Sequence, residues 1–189
     1  MIILALDLAE RTGWCVGEVG RLSVSGSRRF APKGAPLQDM ITAASIWVRD
    51  TIAECGVTMI VRETPLLPRW SGFSNVNAFV SQHYLHGAIV AQAGIARVAD
   101  VDVPVETWRK HFCGKSTANP RAKKGVKKTS SEKTADRKAN KAMAIERARL
   151  LGYIPPDCED TDRADACGLY DYAAATYGRA VPEKLVMFG

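Results

Sequence analysis

The chain of 189 residues lacks any apolar run near the ~18–20 residues that a membrane-spanning helix requires. No basic stretch precedes an apolar one at its start, so a secretory signal is not expected and the reading is a cytoplasmic protein with no membrane partner. Cys-x-x-Cys pairs are missing. The five cysteines, at 15, 55, 113, 158 and 167, are odd in number and scattered, which suits reduced thiols that mostly fill the core. The three histidines, His83, His86 and His111, show no zinc-ligand spacing, and His83-x-x-His86 reads as ordinary polar residues of a helix. No internal repeat divides the sequence, and its length suits one domain with a full-sized core over residues 1–189.

Acidic residues are scarce in one region only. The formal net charge is +6, but residues 109–141 carry twelve Lys and Arg against Glu132 and Asp136, so the rest of the chain sums to −4. Positive charge this localised points to a polyanion partner.

What is present is a set of acids at the ends of apolar segments. Asp7 closes Ile2-Ile3-Leu4-Ala5-Leu6, and Glu63 follows Val57-Thr58-Met59-Ile60-Val61-Arg62. Asp162 and Asp165 stand three apart, on one face of a helix whose first turn favours negative charge. An apolar run ending in an acid suggests a buried strand delivering a charge to the rim of a sheet. Brought together, four carboxylates repel one another unless a cation joins them, and an all-oxygen cage suits Mg²⁺ or Mn²⁺. Asp160 competes for that role but falls off the helix face and reads as solvated or as support. Asp171 lies later on the same helix, turned away.

Periodicity predicts strands at 2–7, 14–19 and 22–29 as an antiparallel meander, a helix at 37–54, a strand at 57–62, a helix at about 75–93 and a strand at 97–101. A short helix at 106–112 precedes a polar, basic segment, 113–134, which reads as a mobile loop. Helices at about 136–151 and 162–177 follow, the second capped by Thr161, and the tail 181–189 carries no assignment. The fold class is α/β with a mixed five-stranded sheet.

These motifs, in this order, resemble the RuvC family of Holliday junction resolvases within the ribonuclease H-like superfamily. The likeness rests on Ile-Leu-Ala-Leu-Asp7-Leu-Ala-Glu-Arg-Thr-Gly-Trp, Val61-Arg62-Glu63, Asn75 through Gly87, Trp108-Arg109-Lys110-His111-Phe112-Cys113-Gly114 and Asp162-Arg163-Ala164-Asp165-Ala166. It implies a homodimeric endonuclease that nicks two strands of a branched, four-way DNA junction symmetrically. By the resemblance, Asp7, Glu63, Asp162 and Asp165 are catalytic and hold two Mg²⁺ ions, with Mn²⁺ as a substitute, for in-line attack of water. The segment Lys115 to Thr134 departs from the family in length and basicity, and tilts the origin towards a phage or prophage. Arg109 stands where the family has one lysine, and Arg137 or Lys138 nearest a second.

The expected DNA contacts are the loop 115–134 along one arm, with Lys115, Arg121, Lys123, Lys124, Lys127, Lys128 and Lys133, then Arg109, Arg137, Lys138 and Lys141 near the acids, and Lys110. Trp70 and Phe73 sit in a Pro/Gly/Ser loop after Glu63; they stack on unpaired bases, or Trp70 packs back on the core. Three readings therefore stand: a junction resolvase; a ribonuclease H-like or fork/flap nuclease; and a non-catalytic nucleic-acid-binding module.

Overall fold

The computed structural model describes residues 1–65, 76–118 and 129–178. Strands β1 (Ile2–Asp7), β2 (Thr12–Glu18), β3 (Val24–Arg28), β4 (Met59–Glu63) and β5 (Ala99–Val103) form one sheet in the order β3-β2-β1-β4-β5. The first three are antiparallel, whereas β1, β4 and β5 run parallel. Helices α1 (Leu37–Cys55) and α2 (Val76–Ala96) cover one face; α3 (Val105–Cys113), α4 (Ser130–Leu150) and α5 (Thr161–Tyr177) build the other. The expected mixed sheet and its element order hold, with shifts at particular ends.

Strands β4 and β5 each start two residues later than periodicity predicts, because the preceding helix has not finished. Gly56 caps α1 in the left-handed conformation at φ 66°, and the Val57 N–H still donates to Ile52 O. Arg97 turns through φ 54°, and the Val98 N–H donates to Ala93 O. At its other end β4 runs one residue further than expected and includes Glu63, which pairs with Val103 of β5. The basic loop expected to reach residue 134 is also shorter: Thr129 caps α4, its hydroxyl accepting from Glu132 N–H while the Glu132 carboxylate accepts from Thr129 N–H. That pairing stabilises the first turn by about 1 kcal/mol. Asp160, not Thr161, is the N-cap of α5, accepting from Arg163 N–H at 3.2 Å.

Side chains of a strand alternate between faces, and this sorts the sheet's chemistry. From β1, Leu4 and Leu6 pack with Ile60, Val48, Ile89 and Ala93 under α1 and α2. Ile3 and Ala5 pack with Met59, Val61, Val103, Trp108 and Leu169 under α3 and α5. By the same parity Asp7 and Glu63 project on the α3/α5 side, and Arg62 projects on the other. Of the five cysteines, Cys15 and Cys167 fill this core, Cys113 and Cys158 are partly buried and pack against it, and only Cys55 is exposed, in line with thiols that mostly fill the core.

Arg62 is buried with 4% of its side chain exposed, a position tenable only because it is fully paired. Its Nε and Nη2 donate to the Asp100 carboxylate at 2.7 and 2.6 Å, and Nη1 lies 3.0 Å from Asp102 Oδ1. Nη1 also lies 2.6 Å from Nδ1 of His86 on α2. Arginine only donates, so Nδ1 accepts and His86 is the neutral tautomer with its proton on Nε2. His86 is therefore a buried member of a network tying α2 to β4 and β5, not an ordinary exposed polar residue. Burial, then the Arg62 charge and His83, lower its pKa from 6.5 to about 4.

A base whose folded pKa is depressed binds protons more readily in the unfolded chain. Its contribution to stability is thus intact above pH ~6.5 and lost as pH falls towards 4. His86→Gln, which keeps an acceptor for Arg62, is expected to remove this slope. The wild-type unfolding free energy, by urea titration at successive pH values, should fall more steeply across that window by up to about 1.4 kcal/mol per pH unit.

Candidate functional site

Asp7 ends β1, Glu63 ends β4, and Asp162 and Asp165 occupy the first turns of α5. Helix α5 crosses β1 and β2 closely enough to join them, and one residue sets that approach. Gly13 pairs with Asp7 across the β1–β2 ladder. A Cβ built on Gly13 would lie 1.9 Å from the Asp162 carbonyl oxygen, so only glycine lets the α5 backbone lie against β2 beside Asp7. In the sequence Gly13 stood out only as a member of the opening motif.

The electrostatics place all four acids in one neighbourhood. Removal from water pushes the Asp7 carboxyl well above the ordinary carboxylate range, and Glu63, Asp165 and Asp162 push it further, against Lys141. Burial raises Glu63, opposed by Trp108 and Arg109. Burial also raises Asp165, to about 7, with Glu63 and Asp162 adding to the effect and Arg109 and Lys141 resisting it.

The chain's own groups hold these carboxylates. The Trp108 indole, wholly buried in α3, donates from Nε1 to Glu63 Oε2 at 2.9 Å. Arg109 stacks over the Trp108 ring, 4.8 Å from its centroid, and reaches within 3.9 Å of Asp165 Oδ2. Lys141 on α4 donates to Thr161 Oγ1 at 3.0 Å and lies 3.5 Å from Asp162 Oδ1. On its other side Asp162 has Arg11 Nε, 3.9 Å from Oδ2. Arg109 and Lys141 therefore stand at the acids, as the sequence suggested. Trp108 and Arg11 were in view there only as parts of motifs, and Thr161 only as a helix cap; bonds between elements, which spacing does not encode, give them their places.

Among the described residues, two buried polar atoms at this site have no hydrogen-bond partner: Asp165 Oδ1 and Arg109 Nε. An orphaned carboxylate oxygen among repelling acids suits a hard cation, and an orphaned guanidinium N–H suits an anionic oxygen. Among the described residues, however, no three His, Cys, Asp or Glu side chains are arranged as a ready cage. Glu63 is turned to Trp108, and Asp162 to Thr161, Lys141 and Arg11, so an ion would have to draw them round. The donor set fits a divalent cation by chemistry and burial.

The other expected contacts lie further out. Lys110 lines a shallow depression on α3 with Glu106, Thr107, His111 and Ser116. Lys115 donates to Ala118 O at 3.4 Å. Arg137 and Lys138 are exposed on the first half of α4. Trp70, Phe73, Arg121, Lys123, Lys124, Lys127 and Lys128, with the tail 181–189, lie outside the described residues. Asp171 does face away, accepting from Tyr153 Oη at 2.7 Å and lying 3.1 Å from His111 Nε2. Asp160 is not solvated: it binds Arg11 and Ser27 as well as capping α5.

The raised Asp165 pKa has a consequence for stability. An acid with a folded pKa above its ordinary 3.8 binds more protons folded than unfolded, so stability is lost as pH rises from ~4 to ~7. Without divalent cations, Asp165→Asn should be more stable than wild type at pH 8 by about 1–2 kcal/mol, because a buried charge is removed. At pH 4 the difference should vanish; thermal melts in chelator at both pH values read it.

No protein-family model matches the chain, and no curated protein matches it. Its fold does match solved structures. RuvC of Thermus thermophilus superposes with a TM-score of 0.63 at 13% identity, covering 95% of this chain and 96% of that one. The T. thermophilus RuvC in complex with Holliday junction substrate gives the same score and identity over 95% of each chain. The yeast mitochondrial Holliday junction resolvase Ydc2 gives 0.53 at 11% identity, over 91% of this chain and 77% of that one. The chain is thus built on the ribonuclease H-like fold of the RuvC resolvases.

Proposed function

We propose that this protein is a metal-dependent endonuclease that resolves four-way DNA junctions by paired, symmetric nicks. The observation that carries the reading is the charge arrangement: four carboxylates from β1, β4 and α5 gather beside three cations, Arg109, Lys141 and Arg11. A site built only to bind nucleic acid has no use for buried acids that repel phosphate. The fold-mates support the substrate class, one being a RuvC bound to Holliday junction DNA.

Asp7, Glu63, Asp162 and Asp165 would hold two Mg²⁺ ions, with Mn²⁺ as a substitute, and such ions supply Lewis-acid polarisation of a phosphate and a lowered pKa for bound water. The rest falls to the chain. Trp108 sets the Glu63 carboxylate and favours its ionised form. Arg109, whose buried Nε has no partner among the described residues, would donate to a non-bridging phosphate oxygen once the substrate displaces its surroundings, in a setting where a charged donor is strongest. Lys141 lowers the proton affinity of Asp7 and Asp165. Lys110, Lys115, Arg137 and Lys138, with the basic residues Lys123 and Lys124, supply the wider cationic surface that a branched polyanion needs.

Symmetric nicking needs two sites, and α2 offers a face for a second copy. Its 21 residues contain no Asp, Glu, Lys or Arg. Tyr84 and Ile95 are 56% and 77% exposed, and with Gly87, Ala91 and Gly94 they make a continuous uncharged stripe on the side opposite His86 and Ile89. Such a stripe suits close helix-to-helix contact in a homodimer. No described helix is long and apolar enough to cross a membrane.

The reading is tested by single-turnover cleavage of a labelled four-way junction, with an RNA·DNA hybrid and a flap as competing substrates. Mg²⁺-dependent nicks at symmetry-related positions are expected. Asp7→Asn and Glu63→Gln should each lower the rate at least ~10³-fold with junction affinity within about threefold of wild type; a wild-type rate in either variant removes the assignment of the acids. Ile95→Glu should convert a dimer to a monomer by light scattering, with a cooperative melt whose midpoint no longer depends on protein concentration, and uncouple the two nicks.

A further inference from the structure

One cation at the site remains without a role in the proposed function. Arg11 lies in the turn between β1 and β2, four residues after Asp7. Its guanidinium is fixed along one edge: Nε donates to Ser27 Oγ at 2.8 Å and Nη2 to Asp160 Oδ2 at 2.7 Å. The two anchors are bonded to each other, Ser27 Oγ donating to Asp160 Oδ2 at 2.5 Å. Asp160 is itself immobilised, because its other oxygen caps α5 through Arg163 N–H. The fixed guanidinium stands 3.9 Å from Asp162 Oδ2, yet 49% of the side chain is exposed. Among the described residues Nη1 has no partner.

A surface arginine ordinarily loses rotamer entropy when it binds an anion. Here two anchors, Ser27 on β3 and Asp160 at the start of α5, have already removed that freedom and left one donor edge open to solvent beside the acids. A lysine could not do the same, since a single ammonium cannot hold both anchors and present another planar N–H. If Arg11 served only to neutralise Asp162, an anchor on Asp160 at 2.7 Å, with Asp162 left at 3.9 Å, would be a poor arrangement. Resting on the nuclease reading, we infer that Arg11 is a DNA-phosphate contact, presenting Nη1 to the backbone next to the nucleotide held at Asp7, and that Asp160 and Ser27 are its positioning residues. Asp160 thus links two functions: it starts the helix that carries Asp162 and Asp165, and it aims a cation at the substrate.

The test uses the full chain and a labelled four-way junction. Affinity is measured by anisotropy in chelator across a salt series, single-turnover cleavage in Mg²⁺, and Mg²⁺ binding without DNA by calorimetry. Losing one phosphate contact should reduce the slope of log affinity against log salt by about 0.9 in Arg11→Ala. Its cleavage rate should fall about 10²-fold, with Mg²⁺ affinity unchanged. Arg11→Lys, the variant least prone to misfold, should move the same way. Asp160→Asn, which still caps a helix, should show a smaller loss, and the double variant Arg11→Ala/Asp160→Asn no more than Arg11→Ala alone. Arg21→Ala removes an equal charge at the far end of the sheet, beside Glu18, and should leave the slope alone. An unchanged slope with tighter Mg²⁺ binding in Arg11→Ala overturns the inference and makes Arg11 a counter-ion of Asp162. If wild type binds junctions without cutting them, the nuclease reading fails, while the salt slope still decides Arg11. If wild type does not bind DNA, both fall.

Discussion

Gathering like charges where water is thin is the most expensive feature of this fold, and the surrounding structure is arranged to tolerate it. Asp7, Glu63 and Asp165 all have proton affinities raised by burial before any neighbour acts, and each neighbouring carboxylate adds to the strain. The offsets are specific: an indole N–H for Glu63, a guanidinium near Asp165, an ammonium and a second guanidinium flanking Asp162. None is close enough to extinguish the charge. The site is left under tension that a divalent cation would relieve, which is how stability is often exchanged for function.

Strand parity keeps this tension away from a second buried charge. Glu63 and Arg62 are neighbours in sequence on opposite faces of the sheet. Arg62 is fully compensated by Asp100, Asp102 and His86 under α2, so it does not neutralise Glu63. A one-residue slip of β4 would exchange the two, burying Glu63 among apolar α1–α2 contacts and bringing Arg62 to the acids. The Arg62 network therefore acts as a register lock for the strand that delivers Glu63.

Much of this was legible in the sequence because it is written locally. Apolar runs ending in Asp7 and Glu63 announced strands with charged ends, and the Asp162/Asp165 spacing announced a shared helical face. Element boundaries were less legible where helix caps consumed residues with strand-like composition, as at Val57 and Val98. The Thr129-x-x-Glu132 box was readable but sat within a polar stretch whose composition pointed to a loop. His86 was misplaced for another reason: its partner Arg62 comes from a different element, and one-dimensional spacing carries no information on such pairings. Asp160 takes the supporting role that was one of its two readings, but its partners Arg11 and Ser27 were not legible for the same reason.

The contact of Gly13 with the Asp162 backbone also sets an order of events. It joins positions near opposite ends of the chain, and closing so long a loop is slow compared with forming the meander or a helix. During synthesis β1 to β5 emerge well before α5, so a nascent chain can carry a nearly complete sheet and no acid cluster. Any chemistry the four carboxylates support begins only when α5 docks.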